Sequence, residues 1–301
     1  MSSPESCPLG LIGLGLLGSA AVQRLGSAGF RVMGYDIAST PRNEHARRGQ
    51  LLASGPLEIA RTCQTTLLVL PDSGCSLEVL GQMVDGLSTD SLVIDLTTGS
   101  PDDTVRLQEL CAASGCRYTD VTVAGSSHQL QQGEATLLIG AAETDEFPGD
   151  LRSVLDSLSN QQSWLGTVGA GARMKLVVNL VLGLNRLVLA EGLAFAESLG
   201  IAATDCLEVL SSGPASSRVM QTKGQKMIDR HYSPVARLGQ HLKDVRLILE
   251  QADSRDVQLP LTGLHQGILE ELVSHGWGDA DNSSIREYFR SGLDIDFPKS
   301  N

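Results

Sequence analysis

The feature that most constrains this 301-residue chain is a glycine-spaced turn near its start. Gly13-Leu14-Gly15-Leu16-Leu17-Gly18 follows the apolar run Leu9-Gly10-Leu11-Ile12 and opens a helical stretch. In that strand–turn–helix setting each glycine has a task. The first permits the tight turn, the second lets a pyrophosphate approach the backbone, and the third lets helix pack on strand. The helix N-terminus then offers unsatisfied N–H groups and partial positive charge to the phosphates. Gly13, Leu14, Gly15, Leu16, Leu17 and Gly18 are therefore expected to hold a dinucleotide. The next apolar run ends at Tyr35-Asp36, 23 positions beyond Gly13. A carboxylate there hydrogen-bonds the adenosine ribose and repels a 2′-phosphate. Asp36 thus favours NAD, while Arg42, Arg47 and Arg48 just after it leave NADP open.

The rest of the first half alternates helical stretches with apolar runs at 31–35, 66–70, 91–96, 117–123 and 135–140. Strand–helix alternation predicts a parallel sheet with right-handed crossovers. The runs are apolar throughout, as expected where both sheet faces are covered. The pattern changes near Gly166. One long helix is expected over 174–199, closed by Gly200 as its C′ residue. Further helices are expected at 204–211, 235–252, 260–275 and 282–290, with no strand among them. The fold class is therefore α/β, with an N-terminal Rossmann-type doubly wound parallel sheet and an all-α C-terminal domain. We assign residues 1–168 to dinucleotide binding and 169–301 to substrate binding and oligomerisation.

Charge narrows the partners. Lys+Arg 23 against Asp+Glu 35 gives −12, which argues against nucleic acid, whose backbone needs a basic face. The six cysteines form no C-x-x-C pair and have no histidine cluster beside them, so no metal site is expected. Reduced thiols point to the cytoplasm, and the start of the chain lacks the positive n-region of a signal peptide. The apolar stretch 176–195 is interrupted by Asn179, Asn185, Arg186 and Glu191. A bilayer span needs about 20 mostly apolar residues, so this is expected to be a buried helix and not a membrane segment.

The start of that helix reads Gly169-Ala170-Gly171-Ala172-Arg173-Met174-Lys175, followed one turn on by Asn179. Lys175 and Asn179, four apart, share a face. A lysine in an apolar helix either snorkels to water or acts as a general acid/base. Helical spacing alone leaves both open.

These motifs, in this order from Pro8 to about Phe289, resemble the β-hydroxyacid dehydrogenase family, which includes 3-hydroxyisobutyrate dehydrogenase, tartronate semialdehyde reductase and the threonate dehydrogenases. The resemblance implies that Lys175 is the catalytic acid/base and that Asn179 holds the substrate. It further implies that Leu70-Pro71 and Thr98, in Asp95-Leu96-Thr97-Thr98, line the nicotinamide. Lys243, in Leu242-Lys243-Asp244, would approach cofactor and substrate at the cleft between domains. The family's substrate loop, Asp-x-Pro-Val-Ser-Gly-Gly, corresponds to Asp120-Val121-Thr122-Val123-Ala124-Gly125-Ser126-Ser127. Ala124 removes the usual hydroxyl, so Ser126 is expected to replace it, with the Gly125 and Ser126 amides binding the carboxylate. Val178 replaces a second asparagine. His128, just beyond the loop, is expected to be an exposed loop residue. The implied activity is NAD-dependent interconversion of a small 3-hydroxy acid and its semialdehyde, in a homodimer or homotetramer. Two alternatives are an imine or aldehyde reductase of the same superfamily and a non-catalytic cofactor-binding scaffold.

Overall fold

The computed structural model describes residues 7–149 and 151–291. The chain divides into two compact units between Lys175 and Leu176. The first unit is built on eight strands: β1 (Leu9–Ile12), β2 (Val32–Tyr35), β3 (Leu51–Leu52), β4 (Thr65–Leu68), β5 (Leu92–Asp95), β6 (Arg117–Ala124), β7 (Thr136–Ile139) and β8 (Gln161–Trp164). Helices α1 (Leu16–Ser27), α2 (Ser39–Arg47), α3 (Pro56–Thr62), α4 (Ser73–Met83), α5 (Pro101–Ala113), α6 (Ser127–Gln132) and α7 (Leu151–Leu158) connect them. The strands lie in the order β3-β2-β1-β4-β5-β6-β7-β8. Strands β1 to β6 are mutually parallel, and β1 has β2 on one side and β4 on the other. The order reverses at β1, so the turn after β1 opens at the topological switch point where open α/β sheets bind ligands.

Both faces of this sheet are buried. Leu11, Leu67 and Ile94 enter a core with Leu25, Leu130 and Leu155. Their chain neighbours Ile12, Leu68 and Val93 enter another with Ile59, Leu80 and Leu107. Alternate side chains go to opposite faces, so double coverage requires continuously apolar strands.

One expectation is corrected. The sheet is not parallel throughout, because β7 runs antiparallel to β6, with Val121 opposite Ile139 and Ala124 opposite Thr136. A parallel return needs a crossover of a dozen or more residues. Only residues 125–135 join these strands, and α6 spans just six of them. Strand β8 then pairs parallel with β7.

The second unit contains most of α8 (Ala170–Ser198), then α9 (Ala203–Ser212), α10 (Gln225–Asp229), α11 (Leu238–Asp253), α12 (Pro260–Ser274) and α13 (Tyr288–Ser291). Its core gathers Leu189, Leu193, Met227, Leu238, Leu269, Leu272 and Ile285. Two helices depart from their expected form. The helix expected from Val235 starts at Leu238, because the backbone amides of Val235 and Ala236 donate to the Asp281 carboxylate. The expected last helix is a 3₁₀ stretch, Asn282–Glu287, followed by α13.

A candidate cofactor and substrate site

The turn after β1 is built as its glycine spacing requires. Gly13 has φ +98°, and its amide donates to Tyr35 O at 2.8 Å. A Cβ at Gly13 would collide with Val69 O, and one at Gly18 with Gly13 O. Gly15 is different: no atom lies within 4 Å of where its Cβ would stand. It starts α1, which has no side-chain cap and no acidic residue in its first turn. An open Cβ position at an uncapped helix start fits a pyrophosphate. Leu14 to Leu17 occupy the same turn and first helical positions. Asp36 follows β2, and its Oδ2 accepts the Leu14 amide at 2.7 Å while Oδ1 accepts the Ala38 amide at 2.8 Å. The acidic residue therefore also braces the glycine turn.

The segments after β4 and β5 are joined to each other. The Leu70 amide donates to Thr97 Oγ1 at 3.0 Å, and the Thr97 amide donates to Asp95 Oδ1 at 2.9 Å. Tyr118 donates its hydroxyl to Asp95 Oδ2 at 3.2 Å. Burial pushes the Asp95 carboxyl up to about 6, against those hydrogen bonds. This network holds Leu70-Pro71 and Thr97-Thr98 at the carboxyl ends of the parallel strands, the same edge as Gly13 to Gly18.

Strand β6 ends at that edge with Ala124. Gly125 is exposed, and a Cβ there would come 2.9 Å from the Ala135 Cβ. Ser126 caps α6: its Oγ accepts the Gln129 amide at 3.2 Å, and its own amide donates to Gln129 Oε1 at 2.9 Å. In this structure the Ser126 amide and hydroxyl are thus used within α6. His128 is exposed, in the first turn of that helix and not in a loop.

Lys175 is 8% exposed, and its Nζ donates to Val123 O at 2.7 Å. Strand β6 thereby brings Lys175 beside Ala124 and Gly125. The same strand fastens the start of α8. Asp120, 2% exposed, accepts the Gly169 amide on Oδ1 and the Ala172 amide on Oδ2, each at 2.7 Å. Thr122 Oγ1 donates to Gly171 O at 3.0 Å. Gly140 and Gly171 are required because a Cβ at either would run into the Asp120 carboxylate. Burial raises the Asp120 pKa, although the Gly169 and Ala172 amides pull the other way.

In the second unit, Asn179 Nδ2 donates to Asp244 Oδ2 at 2.9 Å. Lys243 Nζ lies 3.2 Å from Asp244 Oδ1. Asp244 thus gathers Asn179 and Lys243 around one carboxylate. The positioning parts played by Asp120 and Asp244 were not anticipated. Their signal lay in the Gly169/Gly171 pair and in the placement of Asp244 directly after Lys243.

Comparison with known proteins agrees with this geometry. Residues 8–166 match the family profile described as the NAD binding domain of 6-phosphogluconate dehydrogenase, and residues 169–289 match that described as NAD-binding of NADP-dependent 3-hydroxyisobutyrate dehydrogenase. Glyoxylate/succinic semialdehyde reductase 1 of Arabidopsis thaliana is 28% identical over 282 residues, covering 93% of this chain and 97% of that protein. 2-(Hydroxymethyl)glutarate dehydrogenase of Eubacterium barkeri is 25% identical over 285 residues, covering 93% and 94%. The crystal structure of 3-hydroxyisobutyrate dehydrogenase from Salmonella typhimurium shares the fold, with a TM-score of 0.85 over 94% of this chain and 99% of that one at 22% identity. The chain therefore belongs to the 3-hydroxyisobutyrate dehydrogenase family of NAD(P)-dependent oxidoreductases.

Proposed function

We propose that this protein interconverts a small 3-hydroxy acid and its semialdehyde, with Lys175 as general acid/base. The observation that carries this is the placement of Lys175: a buried amino group on an apolar helix, hydrogen-bonded to Val123 O beside residues 124–126. In oxidation Lys175 Nζ takes the substrate hydroxyl proton, and in reduction it returns that proton. The nicotinamide supplies the hydride chemistry when bound, and the protein contributes orientation and charge. Gly13 to Gly18 hold the pyrophosphate, and Asp36 directs the preference to NAD. Leu70, Pro71 and Thr98 form the nicotinamide wall. Asn179, Lys243 and the Ala124-Gly125-Ser126 turn orient the substrate carboxylate, with Lys243 also close to the cofactor. Ser126 can take part only by giving up a bond to Gln129.

Residues 1–168 carry cofactor binding in this reading, and 169–301 carry substrate choice and self-association. Helix α8 supports the last point. Met174, Val181, Val188 and Phe195 recur every seven residues along it and are 39%, 49%, 64% and 65% exposed in the single chain. Such an apolar stripe suits a second copy of the chain. By length and composition α8 passes as a membrane span, but it carries buried Lys175, Asn179 and Arg186, which suit a core helix. All six cysteines are free thiols, in keeping with a cytoplasmic enzyme.

The test is Lys175→Ala, assayed with NAD against 3-hydroxyisobutyrate, glycerate, threonate, 3-hydroxypropionate and serine. The expected result is a loss of kcat of about 10²-fold or more, the usual scale for a general acid/base, with cofactor affinity kept. Near-normal turnover in that variant would refute the assignment.

A further inference from the structure

The helical unit contains a buried cation that the proposed reaction does not use. Arg186 lies seven residues after Asn179 on α8, and Gly183 lies between them. Positions 179, 183 and 186 share one helix face, and Arg186 stands about two turns, roughly 10 Å, along the axis from Asn179. Its Cα–Cβ bond leans back toward the helix start, and so toward Asn179. Arg186 is 7% exposed. Burial lowers its pKa to about 10, with the charges of Asp281 and Asp244 acting the other way, so it stays cationic at neutral pH.

No described residue accepts a hydrogen bond from that guanidinium. The two carboxylates nearest in effect are occupied elsewhere. Asp281 takes Lys223 Nζ at 2.7 and 2.9 Å, and Asp244 takes Asn179 and Lys243. Two histidines lie on the same face. His265 is 1% exposed, its pKa is pushed down to about 3 by burial and by Arg186, and its Nε2 is sealed without a hydrogen-bond partner. The His241 ring packs 5.2 Å from it. A Cβ at Gly183 would stand 2.6 Å from His241 Nε2. Gly183 is what lets the His241 and His265 rings sit against this face.

A second deeply buried arginine in the same unit shows the alternative. Arg286, 1% exposed, donates to Ala190 O at 3.3 Å and to the Glu197 carboxylate. Arg286 is thus paired within the protein, with an acceptor for its charge. The Asp281 and Asp244 charges offset part of the cost of burying Arg186, but its N–H groups have no acceptor among the described residues, and a guanidinium presents a planar fork suited to a carboxylate.

We propose that Arg186 is the receptor for a second carboxylate on the substrate, so that the preferred substrates are 3-hydroxy acids bearing an additional carboxylate away from the reacting carbon. This rests on the dehydrogenase reading above, and the two can fail separately.

Glutarate and butyrate are the probes, titrated calorimetrically into the whole protein with and without NADH. Glutarate is expected to bind at least about tenfold tighter than butyrate, the scale of a hydrogen bond to a charged group. Arg186→Gln should remove that difference, and Arg186→Lys should keep part of it. Equal affinities in the wild type, or equal loss of both ligands in Arg186→Gln, would overturn the proposal. So would severe destabilisation of Arg186→Gln in urea, because that is the mark of a structural ion pair. In activity, Arg186→Gln should raise KM for 2-(hydroxymethyl)glutarate about tenfold or more, a larger rise than for 3-hydroxyisobutyrate. A protein that prefers glutarate yet oxidises no hydroxy acid would sink the reaction and leave Arg186 standing.

Discussion

Substituting Gly15 by alanine should separate cofactor binding from folding. The Gly15 backbone sits at φ −64°, ψ −162°, which alanine adopts without strain, and its Cβ would enter open space. Replacing glycine at a compatible site stabilises by about 0.4–1 kcal/mol through the unfolded chain. Alanine is a poorer N-cap than glycine by a few tenths or more, so the two effects roughly offset. The free protein should therefore unfold at nearly the wild-type urea midpoint. The new methyl would stand where the pyrophosphate must approach. Overpacking by one methylene costs about 1–3 kcal/mol, which is roughly a 5- to 150-fold rise in Kd for NAD(H). Gly18→Ala is the control, because its Cβ collides with Gly13 O inside the protein and should lower the stability of the free protein as well. NADH fluorescence titrations and urea melts read the two quantities independently. Wild-type NADH affinity in Gly15→Ala would refute the cradle, and a large stability loss would refute the claim that the position is open.

Two further outcomes follow from carboxylates in the same unit. Asp36→Ala should weaken NADP somewhat, since Asp36 also braces Leu14, but should weaken NAD about tenfold more, the scale of a charged hydrogen bond; equal losses in titrations of both cofactors would confine Asp36 to bracing the turn. The Asp95 pKa is raised by burial to about 6 from 3.8, so its stabilising contribution is fully present below the unfolded value and lost as pH rises through the folded one. Relative to Asp95→Asn, the wild type should lose up to about 3 kcal/mol between pH 4 and 7, measured as paired urea melts; a pH-independent difference would mean that Asp95 is not protonated in the fold.

Local chemistry explains what could be read from the chain. The apolar runs at 66–70, 91–96 and 117–123 mark buried strands because both faces of the sheet are covered, and the glycine turn carries its own steric logic. Strand β8 escaped because Gln161-Gln162-Ser163-Trp164 is a half-exposed edge without an apolar run. The direction of β7 escaped for another reason. An apolar strand has the same composition either way, and the short 125–135 connection decides. Pairings remote in sequence were out of reach. Asp120 meets Ala172 across 52 positions, and Asn179 meets Asp244 across 65. Arg186 was visible only as an interruption of an apolar run; that no described residue hydrogen-bonds it is a property of the fold.

The fastening of α8 to β6 bears on how such an enzyme can diversify. Asp120, Thr122 and the Val123 carbonyl bind the helix at Gly169, Gly171, Ala172 and Lys175, and Lys175 is the last residue of the first unit. The group proposed to move the proton is thus inherited with the nucleotide-binding half of the gene. A chimera cut after Lys175 would keep that chemistry while exchanging Asn179, Arg186, Lys243 and Asp244 as a set. The crossover would fall within a continuous helix, where a recombinant needs only to preserve helical phase.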